Sequence, residues 1–235
     1  MNQIFQWNIF LQDIGSGETY LQWLMSAWGW TLAVSFGALI VALIFGFLIG
    51  VLRTLPNKFI SGFGYAWTEL FRNIPLLVQI FIWYHVIPAL WPTLQKAPSF
   101  ILVVVGLGLF TSARIAEQVK AGIESLSKGQ LQASLALGLT RFQAYRFILL
   151  PQAVRVIIPP LTSESMNIIK NSSVAYAVSI SELTLFAMQA GEETSRNVEM
   201  FLATTTLYFI SALVVNRMAV FLEYRIQAPH IQGAK

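Results

Sequence analysis

Apolar residues run in long blocks along this chain, separated by short polar breaks. A helix needs about 20 largely apolar residues to cross the hydrocarbon core of a bilayer. Residues 24–52 carry no charge and form the first predicted span, closed by a turn holding Arg53, Pro56, Asn57 and Lys58. A second span is predicted over 72–91. Its charge-free part starts at Ile74 and includes Pro75, and Pro88 and Pro92 mark its end. A third is predicted over 99–119, with Arg114 and Glu117 near its end. A polar, basic interlude covers 127–150. A fourth span, 151–181, is expected to be interrupted, because Pro159 and Pro160 break or kink a helix. A polar loop is expected from Glu182 to Glu199, then a fifth span over 200–222 and a short tail, 223–235. The chain up to residue 23 has aromatics but no Lys or Arg. It reads as an external segment at headgroup level rather than a cleaved leader.

The pattern therefore describes an all-α integral membrane protein with about five transmembrane helices and its ends on opposite sides. Basic residues set the orientation. Arg53, Lys58, Lys120, Lys128, Arg141, Arg146, Arg155, Arg217, Arg225 and Lys235 fall on one side, and Lys96 and Arg196 on the other. By the positive-inside bias, the 127–150 interlude and the C-terminus are cytoplasmic and the N-terminus external.

Composition supports the class: 56% of the 235 residues are hydrophobic and 11% charged, where soluble domains carry about 25%. The net charge of +4 then belongs to membrane topology, so the bilayer is the expected partner and nucleic acid is not. Without cysteine there is no disulfide framework and no Cys-based metal site. No G-x-x-x-x-G-K-[ST] cradle for nucleotide phosphates occurs, nor any H-E-x-x-H or G-x-S-x-G motif. The chain is not expected to be an enzyme, to have catalytic residues, or to bind a metal or cofactor itself.

The interlude has its own punctuation. Ser127 with Gln130, and Thr140 with Gln143, fit the capping box that satisfies free N–H groups at a helix start. Gly138 suits a left-handed helix stop. Helix, bend at Gly138 and second helix running to Pro151 would make a protruding knob carrying Leu131, Leu135, Phe142 and Tyr145. An ordinary interfacial helix fits the capping equally well. Gly46 and Gly50, four apart, permit close helix contact, although chance spacing is the preferred reading.

This stretch resembles the signature loop of permease subunits of ATP-binding-cassette importers, E-A-A, three residues, Gly, nine residues, I-x-L-P. Here it reads Gln132, Ala133, Ser134, Gly138, Ile148, Leu150 and Pro151, with Gln and Ser where the family favours Glu and Ala. Further stretches are similar to the polar amino-acid importer branch: Glu69-Leu-Phe-Arg72-Asn73-Ile-Pro75-Leu-Leu-Val-Gln79, Ala116-Glu117 through Ile123, Lys170-Asn171-Ser172-Ser173, and Glu182-Leu183. The resemblance implies the type I importer transmembrane domain in the cell inner membrane, working by alternating access on an amino acid. Glutamate or aspartate is the first choice, and glutamine, histidine or arginine are alternatives. It also implies partners: two copies of a cytoplasmic ATP-binding subunit that carry ATP and Mg, a second permease subunit, similar or identical, and an external amino-acid-binding protein. The loop would couple to the ATPase through Gln132, Ala133, Ser134, Gly138, Phe142, Tyr145 and Pro151.

Charges inside the membrane are costly unless paired or used. The substrate-path candidates are Glu69, Arg72, Asn73, Gln79, Arg114, Glu117, Glu164, Asn167, Lys170, Asn171 and Ser172. Glu69–Arg72 and Arg114–Glu117 are each spaced i, i+3, so each pair can meet on one helix face. Lys170 lacks an acid at helical spacing, and Glu164 is its candidate partner. An ion-coupled secondary transporter or a non-transporting scaffold are the other classes; the first would also use broken helices and midplane charges.

Overall fold

The computed structural model describes residues 6–15 and 17–227. Residues 1–5 of the expected external segment and 228–235 of the expected tail lie outside the described residues. The described chain is helical, and its extended pairing amounts to one bridge between Asp13 and Thr19. The principal helices are α1 (Tyr20–Leu52), α2 (Lys58–Asn73), α3 (Leu76–Phe81), α4 (Ile87–Leu90), α5 (Ser99–Glu124), α6 (Lys128–Ala136), α7 (Arg141–Ala144), α8 (Leu150–Asn171), α9 (Leu183–Thr194) and α10 (Asn197–Gln227). Wider π turns at Ile82–Val86 and Tyr145–Leu149 link α3 to α4 and α7 to α8.

Among the described residues α1, α5 and α10 are long and apolar enough to cross a membrane, and α2 with Leu76–Leu90 adds a fourth candidate if counted as one broken span. The expected second span is thus two helices parted at Ile74–Pro75, where extended Ile74 (φ −95, ψ 129) ends α2. Proline disfavours helical backbone in the residue before it. α8 is long enough at 22 residues but too polar to pass on composition.

Two expectations need correction. Pro159 and Pro160 do not interrupt the fourth segment, because both lie inside the continuous helix α8. The break comes later, in a 3-10 turn, Ser172–Val178, closed by left-handed Ser179. Nor is Glu182–Glu199 a loop. Leu183, Phe186, Ala187 and Ala190 recur at helical spacing and are buried on one face of α9. The Glu182 carboxylate caps α9 by accepting from Thr184 N–H at 2.9 Å and Leu185 N–H at 3.0 Å.

The chain divides into two compact units. The first takes residues up to Ala38, Leu76–Leu107 and Ile168–Leu213. Its core joins Ile9 and Phe10 of a short 3-10 turn to Tyr20, Leu24 and Ala27 of α1, to α9, and to Met200 of α10. Trp28 donates its indole N–H to Ser211 Oγ at 2.8 Å, and Leu183 N–H donates to buried Thr31 Oγ1 at 3.1 Å. α1 and α10 thus run the same way, Tyr20 and Leu24 lying beside Met200 and Trp28 beside Ser211.

The second unit takes Leu39–Pro75, Gly108–Asn167 and the chain from Val214. Here Gly46 and Gly50 are packing positions rather than chance spacing. A Cβ on Gly46 would lie 2.5 Å from Ile115, and one on Gly50 2.5 Å from Val119, both on α5. The rising register makes α1 and α5 parallel. If both cross the membrane, the chain between them must cross back, which supports counting α2 with α3–α4 as one crossing. α8 runs against α5, since Gly122 faces Ile157 while Arg114 meets Glu164.

Overpacking a close contact costs about 1–3 kcal/mol. Gly50→Val is expected to lower the thermal unfolding midpoint of the purified protein by several degrees. Gly29→Val, at a position with nothing within 4 Å, should leave that midpoint near wild type.

Candidate functional site

The charged candidates of the second unit are brought together, but with different partners from those their spacing suggests. Arg72 on α2 donates to Glu117 Oε1 on α5 at 3.1 Å. The same oxygen lies 2.8 Å from Arg53 Nη1, at the end of α1. Arg114, one turn before Glu117, pairs instead with Glu164 of α8 at 3.0 Å, and Gln118 donates to the same Glu164 oxygen at 3.2 Å. The expected i, i+3 pairs Glu69–Arg72 and Arg114–Glu117 therefore do not form, and Glu164 is not the partner of Lys170. Residues three apart on a helix point about 60° from each other, and neighbouring helices lie close on either side of α5. Asn73 takes the place of Arg72 beside Glu69, its Nδ2 donating to the carboxylate at 2.9 Å.

Local sequence makes these contacts possible. A Cβ on Gly64 would come within 2.6 Å of the Arg53 side chain, so this glycine leaves room for the arginine stem to reach Glu117. Trp67 stacks on Phe45, ring centroids 5.7 Å apart, and donates to Ser112 Oγ at 3.2 Å. That holds α2 against α1 and α5. Arg53 and Gln118 were missed by sequence reasoning. Arg53 belongs to the turn that closes the first predicted span, and its place directly after the apolar run is the signal that it could reach a buried partner. Gln118 lies four residues after Arg114, on the same helix face.

Glu164 is the most confined of these groups, with its side chain 6% exposed. Its Oε1 is satisfied twice, while its buried Oε2 has no hydrogen-bond partner among the described residues. Asn167, one turn on, is half-buried. This carboxylate can accept from an ammonium, and Arg114 beside it can meet a carboxylate.

Gln79, Lys170, Asn171 and Ser172 belong to the first unit. Gln79 is buried on α3, which packs on the Ser172–Val178 turn. Lys170 is exposed and in no ion pair among the described residues, and buried Ser172 donates to Ile169 O at 2.7 Å. Glu182, also in this unit, is fully buried and accepts from Tyr208 O–H at 2.6 Å. Burial pushes its carboxyl above the usual carboxylate range.

The interlude forms an elbow. α6 ends at Gly138, whose φ of +86° is the left-handed stop expected. The Thr140–Gln143 capping box opens α7, but Ser127 makes no side-chain cap. The second helix does not end at Pro151; it continues through the π turn into α8. Gln132, Ala133, Leu135, Leu137 and Phe142 are exposed, while Ser134 is buried and donates to Gln130 O at 2.6 Å. Tyr145 is not presented outward. It is buried, and its O–H lies 3.0 Å from Thr54 O and 3.1 Å from Thr54 Oγ1, anchoring the elbow to the end of α1. Gln130 donates to Gln152 at 2.9 Å, a second anchor on α8. Pro151 is exposed just inside the start of α8. Among the described residues no group of acids and histidines could hold a metal.

Removing a buried member of an ion pair typically costs about 3–5 kcal/mol, and an exposed one about 0–1 kcal/mol. Arg53 is 5% exposed and Arg72 46%. Thermal unfolding should therefore show a large loss for Arg53→Gln and a small one for Arg72→Gln.

Comparison with known proteins places the arrangement. The chain is 42% identical to the glutamate/aspartate import permease protein GltJ of Escherichia coli K12, over 98% of each chain. It is 30% identical to the glutamate/aspartate import permease protein GltK of Escherichia coli O6:H1, over 83% of this chain and 89% of that one. A crystal structure of an amino acid ABC transporter with histidines superposes with a TM-score of 0.77 at 28% identity, over 88% of this chain and 95% of that chain. Residues 42–228 match the family model described as binding-protein-dependent transport system inner membrane component. The chain belongs to that family: it is a multi-pass inner-membrane permease component of a binding-protein-dependent transport system.

Proposed function

We propose that this permease carries amino acids inward, glutamate and aspartate first, as the membrane subunit of an ATP-driven importer. The identity to GltJ along nearly the whole length supports the substrate. The observation that carries the amino-acid reading is the Glu164–Arg114 arrangement, which sets a part-exposed cation beside a buried carboxylate whose second oxygen has no partner among the described residues, the two charges that an amino acid's carboxylate and ammonium require.

Force enters through the elbow. Two cytoplasmic ATPase subunits, which hold ATP and Mg, grip the exposed residues around Gly138. The Tyr145–Thr54 and Gln130–Gln152 anchors pass their movement to α1 and α8. α8 carries Glu164, so rocking the elbow moves one side of the Arg114–Glu164 pair. A binding protein delivers the amino acid at the external face, and a second permease subunit, the same or a GltK-like relative, completes the path. The N-terminus is external and the C-terminus cytoplasmic.

The test is ATPase activity of the reconstituted complex with its binding protein. Glutamate and aspartate should stimulate hydrolysis and uptake together. Stimulation by glutamine, histidine or arginine instead would overturn the substrate, and uptake on an ion gradient without ATP would overturn the class. Gly138→Val forces a branched residue into left-handed backbone, and should lower stimulated uptake at least about tenfold while leaving basal hydrolysis by the ATPase intact. Arg72→Ala and Lys170→Ala should each abolish uptake in an assembled complex; normal uptake in both, at normal protein levels, removes these residues from the path.

A further inference from the structure

A cavity in the second unit has no part in that mechanism. Its volume is about 390 Å³, and its wall is made by Arg53, Lys58, Ser61, Gly62, Tyr65 and Lys120. Three cations line it and no carboxylate does. Arg53 is committed to Glu117 at 2.8 Å, and Lys120 reaches only an exposed Glu124, at 3.8 Å. Lys58 has no ion pair among the described residues. The Ser61 hydroxyl and the Tyr65 phenol add donors, and Gly62 leaves its part of the wall open. Such a set suits a phosphate better than an amino acid, since it lines the cavity with cations and hydroxyl donors and with no carboxylate to neutralise an ammonium.

Position selects the kind of phosphate. Arg53 directly follows the charge-free run of α1, and Lys58 opens α2. The cavity therefore lies where an apolar span meets a polar turn, which is headgroup level in a bilayer. Phe59 and Phe63, on the same turns of α2 as Lys58 and Gly62, are exposed. They offer apolar surface for acyl chains beside the cationic wall. We infer that the cavity binds the phosphodiester of an anionic phospholipid, with Lys58 and the loosely held Lys120 as the cations that meet it and the acyl chains lying along Phe59 and Phe63.

Native mass spectrometry of the full-length chain in its purified transport complex tests this, with phosphatidylglycerol and phosphatidylcholine titrated separately. Phosphatidylglycerol should be retained on the order of tenfold better than phosphatidylcholine. The double variant K58Q/K120Q should lose most of that preference, and K58R/K120R should keep it. Equal retention of the two lipids by wild type, or unchanged preference in K58Q/K120Q, overturns the inference. So does displacement of the lipid by millimolar inorganic phosphate, which would make this a site for free phosphate.

Discussion

Two carboxylates of the second unit, Glu117 and Glu164, find their cations on other helices or at their ends rather than along their own. Glu117 is held by Arg53 and Arg72, and Glu164 by Arg114. An ion buried without a partner costs several kcal/mol, more than any one apolar contact returns. The pairs therefore act as constraints on which helices can be neighbours. α5 supplies one member of each pair and is the element the second unit is arranged around. Its close approach to α1 depends on Gly46 and Gly50, and its approach to α8 on Gly122 facing Ile157. Small residues let backbones come near enough for short links such as Glu117 and Glu164 to bridge.

Much of this arrangement was legible in the residue pattern. The uncharged run to Leu52 became α1, Gly138 became the left-handed stop, and Thr140–Gln143 became the cap of α7. Partner choice was not legible. Spacing along one helix describes who could meet, while packing between helices decides who does. Arg114 and Glu117 sit three apart and still face different neighbours. α9 was hidden for a related reason. Its polar residues read as a loop, yet Glu182 is the cap of a helix whose apolar side is buried, and the spacing of Leu183, Phe186, Ala187 and Ala190 held that information. The continuity of α8 through Pro159 and Pro160 shows the opposite error, a local rule overruled by its surroundings. Membrane helices tolerate proline because freed backbone groups can be satisfied by neighbours and by Ser and Thr side chains.

The elbow and the charge pairs share helices, which gives the transport reading its mechanical content. Tyr145 ties the bend to Thr54, one residue beyond Arg53, and Gln152 ties it to α8 below Glu164. Displacing the bend thus pulls on α1 and α8, two of the three helices whose charges meet α5. Two discrete pairings of these charges, one for each face of the path, would give the two states that alternating access requires. Binding and release of a zwitterion would then bias the same pairs that hold the helices.

Exchanging the two charges of the Arg114–Glu164 pair tests this dependence most directly. Arg114→Glu and Glu164→Arg should each prevent stable assembly of the purified complex, and the two together should restore a monodisperse complex. If each single variant assembles as well as wild type, or the exchanged pair fails to recover, the helices are not held by pairing across α5 and the account is wrong.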